Sequence, residues 1–368
     1  MENLVNPSAD FWAGKKVLLT GHTGFKGAWL FMWLKRLGAN VHGYSLSPET
    51  APNLAVLGGI VENEEFSTIG DIRDADSLNR VIEREQPEIV LHLAAQALVR
   101  RSYLDPIETF STNVIGTLRV LDSASRSQSV RAVVIVTTDK CYENKEWIWP
   151  YREDEALGGH DPYSASKACV EIATAAWRSS LPDMYAGSRA AMPIYIATAR
   201  AGNVFGGGDW AQDRLVPDFF RTLAANQELV IRNPAARRPW QHVLEPLAGY
   251  LLLAERLWHG ECQEAWNFGP PMDDVQPVSF IVDRLFGKDK GANGWQLAEG
   301  HQPHEATFLA LDASKARARL GWQPRLPLGC ALDWTYDWYT QQAEGADAAI
   351  LTRDQIDRYM DLADRSYS

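Results

Sequence analysis

Lys16-Val17-Leu18-Leu19-Thr20-Gly21-His22-Thr23-Gly24-Phe25-Lys26-Gly27 is the stretch that decides how this chain is read. A short apolar run meets three glycines spaced G-x-x-G-x-x-G, and the apolar segment Ala28 to Leu37 follows. That order predicts a strand, a tight turn and a buried helix. Gly21 lets the chain turn sharply, Gly24 lets backbone approach an anion, and Gly27 lets helix and strand pack closely. The helix N-terminus then offers N–H groups and a positive dipole end to a phosphate. Gly38 stands where a helix C-cap belongs. Taken alone the motif also suits a turn that holds no ligand, so the rest of the chain must decide.

Composition narrows the choice. The 368 residues are 46% hydrophobic and 23% charged, enough for a substantial core and a second lobe. Net charge is −11 and no basic block occurs, which argues against nucleic acid or an anionic membrane surface as partner. Cys141, Cys169, Cys262 and Cys330 lie far apart without metal-ligand spacing, so no metal site is expected and reduced thiols of a cytoplasmic protein are. The N-terminus carries no signal-peptide core, and no apolar run is long enough to span a membrane.

Further along, strands are predicted at Val41 to Leu46, Glu65 to Gly70, Glu88 to Ala95, Arg131 to Thr138 and Tyr195 to Arg200. Helices are predicted at Asp74 to Glu85, Pro106 to Ser125 and from Pro162, with Asp161 as N-cap and Pro162 at the first position. The alternation predicts an α/β fold with a doubly wound parallel sheet and ligands outside the carboxyl ends of its strands. The second strand ends in Tyr44-Ser45-Leu46-Ser47, with no carboxylate before Glu49 and no arginine nearby in sequence. Serines there suit a ribose better than a 2′-phosphate, which favours NAD over NADP. Gly206 to Trp210 reads as a flexible loop, Leu215 to Asn226 as a helix, Glu228 to Arg232 as a short strand, and Pro246 to Leu257 as an apolar helix returning to the first domain.

Tyr163 and Lys167 lie four apart on the helix that Pro162 opens, hence on one face. An ammonium beside a phenol favours the phenolate and makes it a base. A tyrosine and a lysine at this spacing are ordinarily mere neighbours; the glycine motif and the strand ending at Thr138 give the pair its weight.

In that order and spacing the chain resembles the extended short-chain dehydrogenase/reductase family, in its nucleotide-sugar branch. The resemblance spans nearly the whole chain. It rests on the glycine motif, Gly70-Asp71-Ile72, Leu93-Ala94-Ala95-Gln96, Thr112-Asn113, Tyr163 and Lys167, Arg200-Ala201-Gly202-Asn203-Val204-Phe205-Gly206, and Leu311-Asp312-Ala313-Ser314-Lys315-Ala316 with Leu320-Gly321-Trp322-Gln323-Pro324. It implies a Rossmann-type NAD-binding domain over residues 1–205 and 243–262. A smaller mixed α/β nucleotide-sugar-binding domain would take 206–242 and 263–368. The implied NAD contacts are Gly21, Thr23, Gly24, Phe25, Lys26, Gly27, Ser45, Asp71, Ile72, Leu93, Ala94, Ala95, Gln96, Asn113, Thr137, Tyr163 and Lys167.

Thr137-Thr138-Asp139-Lys140 discriminates within the branch. Epimerases usually carry small hydroxyl residues here, and the dehydratases of dTDP-glucose and GDP-mannose usually carry a glutamate where Lys140 stands. Thr-Asp-Lys is similar to the 4,6-dehydratases that act on CDP-glucose, as are His22 after Gly21, Gly207-Gly208-Asp209-Trp210 and Arg237-Arg238-Pro239-Trp240-Gln241-His242-Val243. That resemblance implies a hydro-lyase with Tyr163 as base at the 4-hydroxyl, Thr138 on the 4-oxygen, Asp139 as acid at the C6 oxygen and Lys140 as base at C5. An amine can be that base only if burial or nearby cations lower its pKa.

Substrate contacts implied in the same way are Gln96, Thr138, Asn203, Val204, Leu215 and Val216, with Arg232 or Arg238 on the diphosphate. Relatives often place an arginine before a proline ahead of the C-terminal signature, where this chain reads Gln302-Pro303-His304-Glu305; His301 and His304 suit a structural role as well as a functional one. A homodimer through Pro106 to Ser125 and Pro162 to Ser180, possible further association to a tetramer, and a place in the deoxysugar biosynthesis of bacterial surface polysaccharide such as lipopolysaccharide O-antigen complete what the resemblance implies. The alternatives are a dehydratase of another nucleotide sugar, a 4-epimerase, a dehydrogenase that consumes its cofactor, and a non-catalytic NAD-sensing protein.

Overall fold

The computed structural model describes residues 5–184, 193–288, 294–300 and 306–364. A single turn, α1 (Ala9–Trp12), precedes β1 (Lys16–Thr20), which runs into the glycine turn. From it leaves α2 (Phe25–Arg36), buried from Gly27 to Leu34. Gly38 follows the end of α2 at φ +84°, a conformation that favours glycine. Next come β2 (Asn40–Ser45), α3 (Leu54–Leu57), β3 (Ser67–Ile69), α4 (Ala75–Glu85) and β4 (Ile89–His92). After them stand α5 (Val99–Leu104), α6 (Pro106–Phe110), α7 (Thr117–Arg126), β5 (Ala132–Val136), α8 (Pro162–Met184) and β6 (Tyr195–Ala201). The remainder holds β7 (Asn203–Phe205), α9 (Leu215–Ala224), β8 (Leu229–Ile231), β9 (Arg237–His242), α10 (Leu244–Trp258), β10 (Ala265–Phe268) and β11 (Val275–Pro277). It ends with α11 (Val278–Lys288), β12 (Trp295–Leu297), α12 (Ser314–Leu320), α13 (Leu328–Ala343) and α14 (Ala348–Asp364).

The main sheet has seven parallel strands in the order β3-β2-β1-β4-β5-β6-β10. Every residue of β4 and β5 is buried, as a sheet covered on both faces requires. Helices α2 and α10 cover one face, and α4, α7 and α8 the other. Strand order reverses between β1 and β4, so the crevice for a ligand opens above Gly21 and Leu93. Beside this doubly wound unit lie a three-stranded sheet, β7-β9-β11, and a two-stranded one, β8-β12. Among the described residues no helix is long and apolar enough to cross a membrane.

Several elements differ from the sequence expectations. The strand predicted to Ala95 ends at His92, because Leu93 and Ala94 turn over Gly21, where a Cβ would sit 2.7 Å from the Ala94 nitrogen. The helix predicted from Pro106 to Ser125 is broken by a wider π-type turn at Ser111–Gly116, a device found often at functional sites. Gly206 to Asp209 is no loose loop: it is buried, Gly207 accepts from the Trp29 indole at 2.8 Å, and a Cβ at Gly207 would lie 2.1 Å from the Trp338 ring. These glycines serve close packing, not freedom. Finally β10 falls inside the stretch 263–368 given to the second domain, yet it pairs with β6 as the edge strand of the main sheet. Gln302, and with it His301 and His304, lies outside the described residues.

Candidate active site

One cavity of about 590 Å³ opens at the carboxyl ends of the main sheet and reaches the second lobe. Every residue expected in the site lines it, except Asn113. Asn113 is buried behind the wall, in the π turn, where its carboxamide accepts from the Gln96 backbone at 2.8 Å and donates to Ser166 at 2.9 Å. It does not line the cavity directly; it supports the wall through Gln96. Gln96 likewise spends its side chain on Leu98 and Thr109.

The cofactor half is built by α2 and the strand ends beside it. A Cβ on Gly27 would meet the Gly21 carbonyl at 2.0 Å, so turn and helix can approach only with glycine there. No side chain caps α2, which leaves the N–H groups of its first turn to a ligand. A dinucleotide pyrophosphate fits this cradle. At the end of β2 the hydroxyls of Ser45 and Thr23 lie 2.6 Å apart, and Asn53 pins the Thr23 carbonyl at 3.0 Å. Glu49, the first carboxylate beyond β2, is drawn to Arg101 at 2.8 Å, so an arginine does stand nearby in space, held in an ion pair. The Asp71 carboxylate is engaged by Arg73, whose guanidinium holds it below the usual range.

The catalytic candidates converge from two elements. Thr138 caps the turn Asp139–Cys141 that follows β5, while Tyr163 and Lys167 come from the first turns of α8. The Lys167 ammonium donates to the Val136 carbonyl at 3.2 Å; burial lowers its pKa to about 8, with Glu171 opposing. Tyr163 corrects the expectation of a lysine-stabilised phenolate. Burial pushes its phenol up to about 12, a hydrogen bond with Thr138 only partly offsets this, and the Asp139 charge adds to it. The phenolate loses more hydration here than neighbouring charge returns.

Asp139 is 1% exposed. Its Oδ1 accepts from the Thr138 hydroxyl at 3.0 Å, and Oδ2 has no hydrogen-bond partner. Burial raises its pKa against the pull of Lys140, the Thr138 bond, Arg238 and Lys26. Burial thus favours the protonated carboxyl, the form that can donate a proton. The Lys140 side chain lines the same cavity. Lys26 also faces it, its pKa lowered to about 7 by burial and by Arg214, with Asp139 opposing.

The second lobe supplies Asn203 and Val204 on β7, Leu215 and Val216 on α9, Arg232 after β8 and Arg238 on β9. The Arg238 guanidinium is aimed by the Arg237 and Ala306 carbonyls. Sequence reasoning missed Arg214, which caps no charge of its own helix but pairs with buried Asp209 at 2.8 Å beside Tyr163 and Lys26. It also missed Arg100, which lines the cavity and pairs with Asp213 at 2.9 Å. Their spacing in sequence gives no signal; only the packing of Asp209 under Tyr339 brings Arg214 to the catalytic end.

Residues 17–269 match the family described as the NAD dependent epimerase/dehydratase family. The chain is 47% identical over 363 residues to the CDP-glucose 4,6-dehydratase of Salmonella typhimurium strain LT2, covering 97% of this chain and 99% of that protein. An epimerase structure from Methanothermobacter thermautotrophicus superposes with a TM-score of 0.77 at 26% identity, over 94% of this chain and 96% of that one. The dTDP-glucose 4,6-dehydratase of Bacillus anthracis, crystallised in complex with NAD, shares the fold at a TM-score of 0.72 and 21% identity, over 90% and 98% of the two chains.

Proposed function

The chain belongs to the NAD dependent epimerase/dehydratase family, an enzyme family with NAD as cofactor, and from that premise we propose that it is a hydro-lyase converting CDP-glucose to CDP-4-keto-6-deoxyglucose and water. The observation that carries the reading is Asp139, a buried carboxyl with one unpartnered oxygen in the same cavity as Tyr163, Lys140 and Lys167. The CDP specificity is supported by the 47% identity to a dehydratase of that substrate.

The glycine cradle, Ser45 and Lys167 would hold the dinucleotide, which would supply a hydride acceptor for C4 and a hydride donor for C6. Tyr163 would take the proton of the sugar 4-hydroxyl once the positive charge of a bound dinucleotide offsets the burial that holds its phenol up, and Thr138 hydrogen-bonds the 4-oxygen. With C4 a ketone, the C5 proton is acidic; Lys140 takes it while Asp139 protonates the departing C6 oxygen, which leaves as water. Lys140 then returns the proton to C5 as C6 regains the hydride that left C4, so no redox equivalent is consumed. Asn203 and Val204 meet the sugar nucleotide, Leu215 and Val216 its base or ribose, and Arg232, Arg238 and Arg214 surround the diphosphate.

We assign a homodimer through α6–α7 and α8, supported by exposed Ile107, Ile115 and Ile172 on those elements; further pairing to a tetramer would use other surfaces. A cytoplasmic enzyme of deoxysugar biosynthesis for surface polysaccharide such as O-antigen fits this chemistry.

The test is mass spectrometry of CDP-glucose, dTDP-glucose, GDP-mannose and UDP-glucose incubated with the purified chain and catalytic NAD. Loss of one water from CDP-glucose alone, without net NADH, supports the proposal. Water loss from another sugar overturns the base specificity, and interconversion of epimers without mass change overturns the roles of Asp139 and Lys140.

A further inference from the structure

Beneath the catalytic turn lies an ion pair that the reaction does not use. Glu171 on α8 and Arg200 on β6 have side chains 2% and 3% exposed, with Nη2 to Oε2 at 2.8 Å. A buried pair is a poor way to gain stability, since apolar residues of like volume often serve as well. Its partners suggest another purpose. Oε1 of Glu171 accepts from the Thr137 hydroxyl, and Oε2 also accepts from Thr198 at 2.7 Å. Arg200 donates through Nη1 to the Tyr142 hydroxyl at 2.7 Å and to the Glu153 carbonyl at 3.2 Å. Tyr142 donates in turn to Asn267 on β10 at 2.8 Å.

One carboxylate thus ties the helix bearing Tyr163 and Lys167 to both ends of the segment bearing Thr138, Asp139 and Lys140. Lys167 and Glu171 are one turn apart and grip consecutive residues of that strand end: Lys167 the Val136 carbonyl, Glu171 the Thr137 hydroxyl. We propose that Glu171, clasped by Arg200, is a positioning residue for the reaction, fixing the Thr138–Asp139–Lys140 turn against Tyr163 and holding a negative charge beneath Lys167. The proposal rests on the dehydratase reading, which the unaltered chain tests separately by its own turnover.

The charge has a direction. Glu171 opposes the burial that lowers the Lys167 pKa, as does Cys141 on the catalytic turn. His92 on β4 and Lys26 on α2 also feel the Lys167 charge, while Glu171 faces Arg200 on β6, Cys141, and Arg178 on its own helix. Removing Glu171 therefore moves the loss of the Lys167 charge to lower pH.

The experiment compares Glu171→Gln with the double variant Glu171→Gln/Arg200→Met, which removes both members of the pair so that neither is left as an unpaired buried charge. The expected result for the double variant is a melting temperature near that of the parent, kcat lowered by about 10²-fold as for a small misplacement of reacting groups, and an alkaline limb of kcat/KM shifted to lower pH. Parental kcat with an unmoved limb overturns the proposal and leaves the pair a tie between helix and sheet. A double variant that does not fold overturns it too, because the pair would then hold the fold and not the site.

Discussion

The Thr138 hydroxyl lies 3.0 Å from Oδ1 of Asp139 and donates to it, which leaves Oδ2 of that buried carboxyl without a partner. One oxygen is oriented and the other is available, in a setting whose burial favours the neutral acid. Asp139→Asn keeps the shape and removes the transferable proton. We expect kcat to fall by about 10²–10⁴-fold, the usual contribution of a general acid. Reduced cofactor should then accumulate in the near-ultraviolet spectrum, because C4 oxidation precedes the blocked elimination. A slow variant that builds no reduced cofactor would place Asp139 earlier in the reaction.

Lys167 sets an expected pH limit. Burial lowers it from 10.5 to about 8, so its charge is present below that pH and lost as pH rises through it. The profile of kcat/KM reports groups of the free enzyme, and an alkaline limb near pH 8 is expected. Lys167→Arg keeps the charge at all working pH and should push the limb upward. Lys26, lowered to about 7, is the competing source of such a limb. If Lys26→Met removes the limb and Lys167→Arg does not move it, Lys26 is the group observed.

The strand–turn–helix at Lys16 to Arg36 was legible because local chemistry dictates it: an apolar run, a positive-φ Gly21 and an apolar helix are written in consecutive residues. The catalytic set was legible for the same reason, since Thr138 to Lys140 and Tyr163 to Lys167 are short-range patterns. What sequence could not give was the state of those groups. The Tyr163 phenol rises because of burial that only the folded chain creates. Asp209 read as a loop residue, and Arg214 gave no signal, because Trp338 and Tyr339, which pack that loop, come more than a hundred positions later.

Gly27→Ala should damage the cofactor cradle more than Gly24→Ala. The new Cβ at position 27 would lie 2.0 Å from the Gly21 carbonyl and 2.8 Å from the His22 Cα, all backbone, whereas at position 24 the nearest atom is 3.3 Å away. Overpacking of this kind costs about 1–3 kcal/mol. Calorimetric titration with NAD and a thermal melt check it together. A Gly27→Ala chain with parental melting and parental NAD affinity would mean that the turn relaxes freely.

Among the arginines, Arg238 should matter most to substrate affinity. Its guanidinium is oriented by two carbonyls and the residue is 6% exposed, while Arg214 already shares its charge with Asp209. Losing a hydrogen bond to a charged group costs about 1.5–3 kcal/mol, which is about 10- to 150-fold in KM at 1.4 kcal/mol per tenfold. Arg238→Met should raise KM and the inhibition constant of free CDP alike, with little change in kcat. A larger effect from Arg232→Met or Arg214→Met would move the diphosphate to that residue.

Glu245 lets stability be tested away from the cavity. Its carboxyl is fully buried, Oε1 accepts from the Arg325 and Leu326 backbones at 2.9 and 2.7 Å, and Oε2 accepts from Tyr359 at 2.6 Å. It joins α10 to α14 and to the turn before α13. Burial raises its pKa from 4.5 to about 6. Between those values the folded chain holds a proton that the unfolded chain has released, so ν_N exceeds ν_U and stability falls as pH rises. The contribution is complete below pH 4.5, is lost by about pH 6, and amounts to about 2 kcal/mol at 1.36 kcal/mol per unit. Glu245→Gln cannot titrate. Urea unfolding of parent and variant across this window should show the parent losing ground to the variant as pH rises, other groups cancelling in the difference. A difference independent of pH would mean that Glu245 stays ionised in the fold, its charge carried by the two backbone N–H groups and the Tyr359 hydroxyl.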